Sequence, residues 1–350
     1  MSLRDRLVAQ IRAGGPMTVA QYMAACLHDP QDGYYATRPA LGARGDFITA
    51  PLVSQMFGEL IGLWAVEAWE RLGRPDPVRL VEMGPGDGSL MSDLLRAARL
   101  APAFLAAADI WLVEVSEPLR MRQRQVLGDQ VSWARSLEEV PGGAPLLLVA
   151  NELLDCLAAR QFIRTERGWA ERMVGLDEAG ELAFGLAAAP LDRDAPLGAI
   201  LEHSPGQEAL GSALGERIAR DGGVALLIDY GRAVPGFGDT LQALRAHRKE
   251  SPLASPGEAD LTVHADFPAV LAAAHAQDAQ TAHILTQGEL LVRLGIGSRA
   301  EALAQARPDK AHEIERQLER LVSPDQMGDL FKAACIHSQG FTPPGFEALT

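Results

Sequence analysis

One short stretch gathers residues able to do chemistry together. Residues 80–92 read LVEMGPGDGSLMS, in which Glu82 is followed at close spacing by Gly84, Pro85, Gly86 and Gly88. A glycine-rich turn between a strand and a helix lets backbone N–H groups and the helix N-terminus approach a ligand that side chains would otherwise block. Three occupants compete for such a turn: a dinucleotide, S-adenosylmethionine, or nothing, the turn being only a tight bend. The dinucleotide fingerprint needs its third glycine one position later, where this chain has Ser89, so GxGxxG fails and GxGxG holds. Glu82, two residues before the first glycine, places a carboxylate at the strand end. There it can order the turn and face a cationic amino group, which suits the methionine moiety of S-adenosylmethionine better than a pyrophosphate.

Two further groups belong with that turn. Glu114 closes the apolar run WLVE, at the position where doubly wound folds put an acid to accept hydrogen bonds from ribose hydroxyls. Asn151, Glu152 and Asp155 in ANELLDC leave a third apolar run on its carboxyl side, where ligands bind in such folds. A guanidinium is planar, permanently charged and matched to paired carboxylates, so Glu152 and Asp155 are candidates to orient an arginine nitrogen toward a methyl donor. The plainer alternative is a helix N-terminus, capped by Asn151 or Asp155. His264 and Asp266, in LTVHADF, form another polar pair that either lines the substrate side or belongs to a turn. Cys26, Cys156 and Cys335 lie far apart without a CxxC pair, which fits neither a disulfide framework nor a zinc site, and no metal is assigned.

These groups need a scaffold, and periodicity supplies one. PVRLVEM, ADIWLVEV, APLLLVAN and GGVALLIDYG read as strands, and SLMSDLLRAARL and PLRMRQRQVLG as helices between them. The alternation predicts an α/β doubly wound sheet, its continuous apolar strands covered by helices on both faces. RQFIRTERGWAERMVGL and ELAFGLA alternate polar and apolar residues, predicting a small antiparallel meander inserted at about 160–200. A second insertion is expected at about 231–279. Residues 1–78 are expected to form a helical and loop cover over the cofactor site, with Tyr34, Tyr35 and Phe47 packing it down, ahead of a catalytic domain spanning 79–350. The formal charge of −14 argues against a nonspecific nucleic-acid partner; it suits a cationic substrate, or else serves only to keep the chain in solution. No apolar run approaches the roughly 20 residues of a membrane-spanning helix. The N-terminus reads as an amphipathic helix, not a secretory signal, and the cytoplasm is the expected compartment.

In MTVAQYMAACLHDPQDGYY, GDFITAPLVSQMFGE, VEMGPGDGSLMSDLLR, ANELLDCLAARQF, GDTLQALRAHR, ADLTVHADF and GDLFKAAC the chain resembles the MidA-type methyltransferases, a bacterial and mitochondrial family. The resemblance spans nearly the whole chain. It implies a Rossmann-like class I methyltransferase sheet with a final antiparallel strand at GDLFKAACI, and S-adenosylmethionine as cofactor. It also implies methylation of an arginine in the respiratory complex I subunit that helps form the quinone site, in the mitochondrial matrix for eukaryotic relatives. Residue by residue it brings Glu82, Gly84, Gly86 and Glu114 to the cofactor, with Pro85, Gly88 and Asn151 beside them. It also implies that Asp46 and Thr49 fall in the covering loop GDFITAP and Glu152 and Asp155 at the reacting nitrogen; Tyr35, His264 and Asp266 are candidates for the substrate side from the residues alone. The chain departs from the family pattern at Leu52, often an acid, and at Cys156-Leu157-Ala158, usually small residues and proline.

Overall fold

The computed structural model describes residues 1–37 and 49–348; Asp46 and Phe47, assigned above to the cover, lie outside the described residues. Strands β1 (Val78–Met83), β2 (Ala108–Val113), β3 (Ser132–Ala134) and β4 (Leu146–Asn151) pair in parallel in the order β3-β2-β1-β4. The chain then leaves the sheet for a meander of β5 (Arg160–Thr165), β6 (Gly168–Leu176), β7 (Leu182–Ala188) and β8 (Ile200–His203). It returns as β9 (Gly223–Arg232), parallel to β4. A second excursion forms a three-stranded sheet of β10 (Gln242–Arg245), β11 (Arg248–Glu250) and β12 (Asp260–Thr262). The last strand, β13 (Phe331–His337), runs antiparallel beside β9, and the short pieces Gln280–Thr281 and Leu285–Thr286 pair with its outer side. This is the α/β sheet with a closing antiparallel strand that the sequence pattern and the resemblance implied.

The central strands are apolar throughout because both faces are covered. Successive residues of β4 alternate between two cores: Leu147 and Val149 face one, Leu146, Leu148 and Ala150 the other. Helix Gln55–Arg71 lies against helix Ser89–Ala98, and their backbones approach so closely that a Cβ at Gly62 would stand 2.6 Å from the Leu94 carbonyl oxygen. The expected amphipathic N-terminal helix is Leu3–Gly14, started by a capping box between Ser2 and Asp5. A third core joins this helix and Val19–His28 to the insertions, through Val174 of β6, Ala243 of β10 and Leu261 of β12. Residues Met17–Thr18 pair with β6 as an extra strand. The segment ahead of β1 therefore does two jobs: its first part braces the inserted sheets and its last helix packs on the main sheet. No helix of the described residues is long and apolar enough to cross a membrane.

Candidate active site

The turn after β1 takes positive φ at all three glycines, 66° at Gly84, 54° at Gly86 and 88° at Gly88, a region that L side chains seldom enter. Gly84 and Gly86 line two adjoining cavities at the carboxyl ends of β1, β2 and β4. Gly88 lines neither. It is the N-cap of helix Ser89–Ala98, and a Cβ there would face Leu127 and Gln123 at 3.5 and 3.6 Å, so its place is in the helix start and not, as the sequence reading had it, against the cofactor. The larger cavity, about 440 Å³, falls within the roughly 300–1,000 Å³ of small-molecule sites and is mostly apolar, with Met83, Leu119 and Leu137 among its walls. The smaller, about 60 Å³, sets the polar side chains of Glu82, Asn151 and Thr49 beside Pro85, Leu52 and Leu90.

Glu82 is 3% exposed, and its Oε2 has no hydrogen-bond partner among the described residues. Burial, and then the neighbouring Asp87 carboxylate, push its pKa up to about 8. Asn151, which lines the same small cavity, has a second buried acceptor, Oδ1, without a partner among the described residues, while its Nδ2 donates to Glu152 Oε1 at 3.0 Å. Unpaired buried acceptors are costly, so two of them at one polar recess mark a place for a donor group. Glu114, at the end of β2, lines the larger cavity, where its Oε1 accepts from the Ser116 N–H at 2.7 Å and its Oε2 from Gln123 Nε2 at 3.3 Å. Burial raises its pKa. Gln123 escaped the sequence reading. Fully buried on helix Glu117–Leu127, it also donates to the Gly86 carbonyl at 2.8 Å and accepts from Trp133 Nε1 at 2.9 Å, tying the glycine turn to Glu114.

Glu152 follows β4 with φ of 53°, unusual for a non-glycine residue and held by its surroundings: its N–H donates to the Ile228 carbonyl at 2.9 Å and its Oε1 accepts from Ala50 N–H at 3.1 Å. It lines both cavities described and a third of about 530 Å³ beyond them, walled by Tyr230, Phe331 and Gln242. Its carboxylate thus stands where the three meet. Burial raises its pKa to about 7. Asp155 is placed differently from the expectation: it lines none of the three, and its Oδ2 accepts the Tyr230 hydroxyl at 2.7 Å. Burial lifts its pKa to about 6. Asp229, also missed, is fully buried in β9, where its Oδ2 receives the N–H groups of Leu154 and Asp155 at 2.8 and 3.2 Å and fixes the bend after β4.

The remaining residues scatter. Tyr35 lines the glycine-turn cavity beside His28, with which it stacks at 5.7 Å; the packing of its segment against Ser116, whose Oγ donates to the Tyr35 carbonyl, draws it away from the substrate side where it was expected. Asp266 caps helix Phe267–His275 through the Ala269 N–H, so the turn reading holds for it. His264 lines none of the three cavities; its N–H is held by Thr240 Oγ1 at 2.8 Å and its ring meets the Tyr230 ring edge-on at 5.6 Å. Thr49 borders the small cavity from the last residues of the cover.

Fold and site together define a class I methyltransferase architecture with a recess at the glycine turn. A family model described as "Putative S-adenosyl-L-methionine-dependent methyltransferase" matches residues 60–286. The chain is 36% identical to the Drosophila melanogaster mitochondrial protein named protein arginine methyltransferase NDUFAF7 homolog, over 95% of this chain and 84% of that protein. Against the human mitochondrial protein arginine methyltransferase NDUFAF7 the identity is 34%, over 93% and 81%. A crystal structure from Burkholderia thailandensis, bound to S-adenosyl-homocysteine, superposes with a TM-score of 0.85 at 28% identity, covering 99% of this chain and 92% of that one. The chain belongs to this family of S-adenosylmethionine-dependent methyltransferases. Its residues fit the cofactor: the recess with two unpaired acceptors suits the methionine ammonium, and Glu114 suits the ribose hydroxyls.

Proposed function

We propose that the protein transfers a methyl group to an arginine nitrogen of a protein substrate, the target being a subunit of respiratory complex I. The observation that carries this reading is the position of Glu152, a half-buried carboxylate shared by the two cavities at the glycine turn and the cavity beyond them. The arginine methyltransferase names of the relatives support the residue type, and the resemblance supports the complex I target. S-adenosylmethionine supplies, when bound, an electrophilic methyl group on a sulfonium. Glu82 and Asn151 hold its methionine end, Glu114 its ribose. Glu152 accepts N–H bonds from the entering guanidinium and orients its nitrogen. This positioning of reactants is the largest contribution the chain can make, on the order of 7–11 kcal/mol. A guanidinium with a pKa above about 12 must also give up a proton with or after transfer. Glu152, raised to about 7, can hold that proton near neutral pH. Asp155 acts through Tyr230, whose ring walls the substrate side, and is a positioning residue.

Glu152→Gln tests the reading. The change is nearly isosteric and removes a charge-assisted bond to a cation, a loss of about 1.5–3 kcal/mol and hence about tenfold or more in rate. Single-turnover transfer of labelled methyl to the complex I subunit should fall accordingly, while S-adenosylhomocysteine affinity stays near normal. Unchanged transfer would remove the guanidinium clamp, and a loss confined to cofactor affinity would place Glu152 in the cofactor site alone.

A further inference from the structure

The third cavity is built from parts that the cofactor reading leaves unused. One wall is the β10–β11 hairpin, the stretch QALRAHRKE, and the opposite wall comes from the end of helix Ala311–Val322 and the residues leading into β13. Among the described residues lining it, Glu152 is the one carboxylate, and it sits at the junction with the cofactor cavities. The charged groups around the rest are Lys249 and Arg320, with His247 beside them. Both cations are exposed, and neither side chain has an ion-pair or hydrogen-bond partner among the described residues. Three arginines near the inserted sheets are paired: Arg160 with Glu171 at 2.6 Å, Arg172 with Asp239 at 3.0 Å and Arg232 with Glu202 at 3.0 Å. The adjoining groove, which shares Arg320 and Gln326, adds Arg316 beside Glu313 and Glu319 and is mixed in sign.

The hairpin itself is held in an uncommon form. Ala246 and His247, at its two-residue tip, have φ of 50° and 61°, a conformation for which Asn-Gly is the usual sequence. Two non-glycine residues in that region keep the tip tight and aim His247 and Lys249 into the cavity. Unpaired cations on the rim repel a substrate that is basic throughout. They favour one that brings its own carboxylates, so that the rim supplies discrimination and Glu152 receives the single cation.

We propose that the cavity beyond Glu152 takes a peptide segment in which the methyl-accepting residue is flanked by acidic residues, read by Lys249 on the hairpin and Arg320 on the facing helix. This rests on the protein-substrate reading above. The test uses the full chain saturated with S-adenosylhomocysteine and three labelled peptides with one central arginine, flanked by glutamates, by glutamines or by lysines. Fluorescence anisotropy at low salt should show the glutamate peptide binding about fivefold tighter than the glutamine one, as expected for two exposed ion pairs, with the lysine peptide weakest. Added salt should erase the difference. The double variant Lys249→Gln, Arg320→Gln should bind S-adenosylhomocysteine as the wild type does and show no preference among the peptides. Equal binding of all three peptides, binding of none, or a preference surviving in the double variant would overturn the proposal. So would displacement of the glutamate peptide by a single-stranded oligonucleotide at equal phosphate concentration. Mass spectrometry of the glutamine peptide after incubation with S-adenosylmethionine separates the two readings. Methylation without a flank preference sinks the rim alone; a rim-dependent preference without arginine methylation sinks the arginine assignment alone.

Discussion

S-adenosylhomocysteine should bind more tightly as the pH rises from 6 to 7, and Glu82→Gln should abolish that dependence. The free protein buries the Glu82 carboxyl with Oε2 unpaired, which raises its pKa from 4.5 to about 8. The sign follows directly. A carboxyl with a raised folded pKa keeps its proton in the fold, so the stability it lends is full below 4.5 and is lost as pH climbs through 8. To pair with the ligand's ammonium the group must ionise, so binding below that pKa expels a proton. The affinity is then reduced by about one hundredfold at pH 6 and about tenfold at pH 7, a gain of about 1.4 kcal/mol across the unit. An aliphatic amino group stays charged through this window, and S-adenosylhomocysteine carries no sulfonium, so neither contributes to the slope.

Isothermal titration in two buffers of different ionisation heat counts the protons directly. The wild type should release about one per ligand at pH 6 to 7, while Glu82→Gln should release about one fewer and lose a charge-assisted bond worth about 1.5–3 kcal/mol. Glu152 and Asp155 titrate in the same range, with pKa values raised to about 7 and about 6, but both are present in either protein and cancel in the difference. Identical slopes in the two proteins, or no proton released by the wild type, would refute the pairing of Glu82 with the amino group.

The other cofactor contacts give sharper single-site outcomes. Glu114→Ala should weaken S-adenosylhomocysteine binding by about 1–3 kcal/mol, because two ribose hydroxyls lose a charged acceptor, and calorimetric affinity unchanged within error would make the residue a bystander. Gln123→Leu removes the links to Gly86 and Glu114 and leaves the half-buried Trp133 N–H without its acceptor; a fall of about 1–3 kcal/mol in denaturant stability, together with weaker cofactor binding, is expected. A stability loss with cofactor affinity intact would confine Gln123 to the fold.

What could be read in the sequence is what depends on neighbours in the chain. β1, β2, β4 and β9 announce themselves as apolar runs because both faces of the sheet are covered, and the meander shows as alternation because one face is not. The glycine turn is equally local, since backbone conformation fixes its residue types, and Glu82 sits at a set offset from it. Groups whose partners lie far along the chain were not legible. Gln123 reads as one more polar residue on a charged helix, and only the packing of that helix beneath the turn brings it to Gly86 and Trp133. Asp155 looks equivalent to Glu152 three residues earlier, until Tyr230, 75 positions on, takes its carboxylate. Tyr35 and Asp266 carried chemistry-bearing side chains but no spacing that could separate a cavity wall or a helix cap from a substrate contact.

The same distinction explains why the two ends of the site differ in how they can be altered. The cofactor end is set by the carboxyl ends of three neighbouring strands, β1 with Glu82 and the glycine turn, β2 with Glu114 and β4 with Asn151, so the main sheet places its acceptors and the insertions do not. The substrate end is assembled from pieces remote in sequence: Glu152 after β4, held by Ala50 of the segment 102 residues earlier, Tyr230 on β9, the β10–β11 hairpin and the helix before β13. Glu152 belongs to both. Its left-handed backbone is held by β9 through the Ile228 carbonyl, while its carboxylate accepts from the Ala50 N–H of the segment ahead of β1. Sequence change in the hairpin or the last helices should therefore alter the third cavity while leaving the recess at the glycine turn as it is.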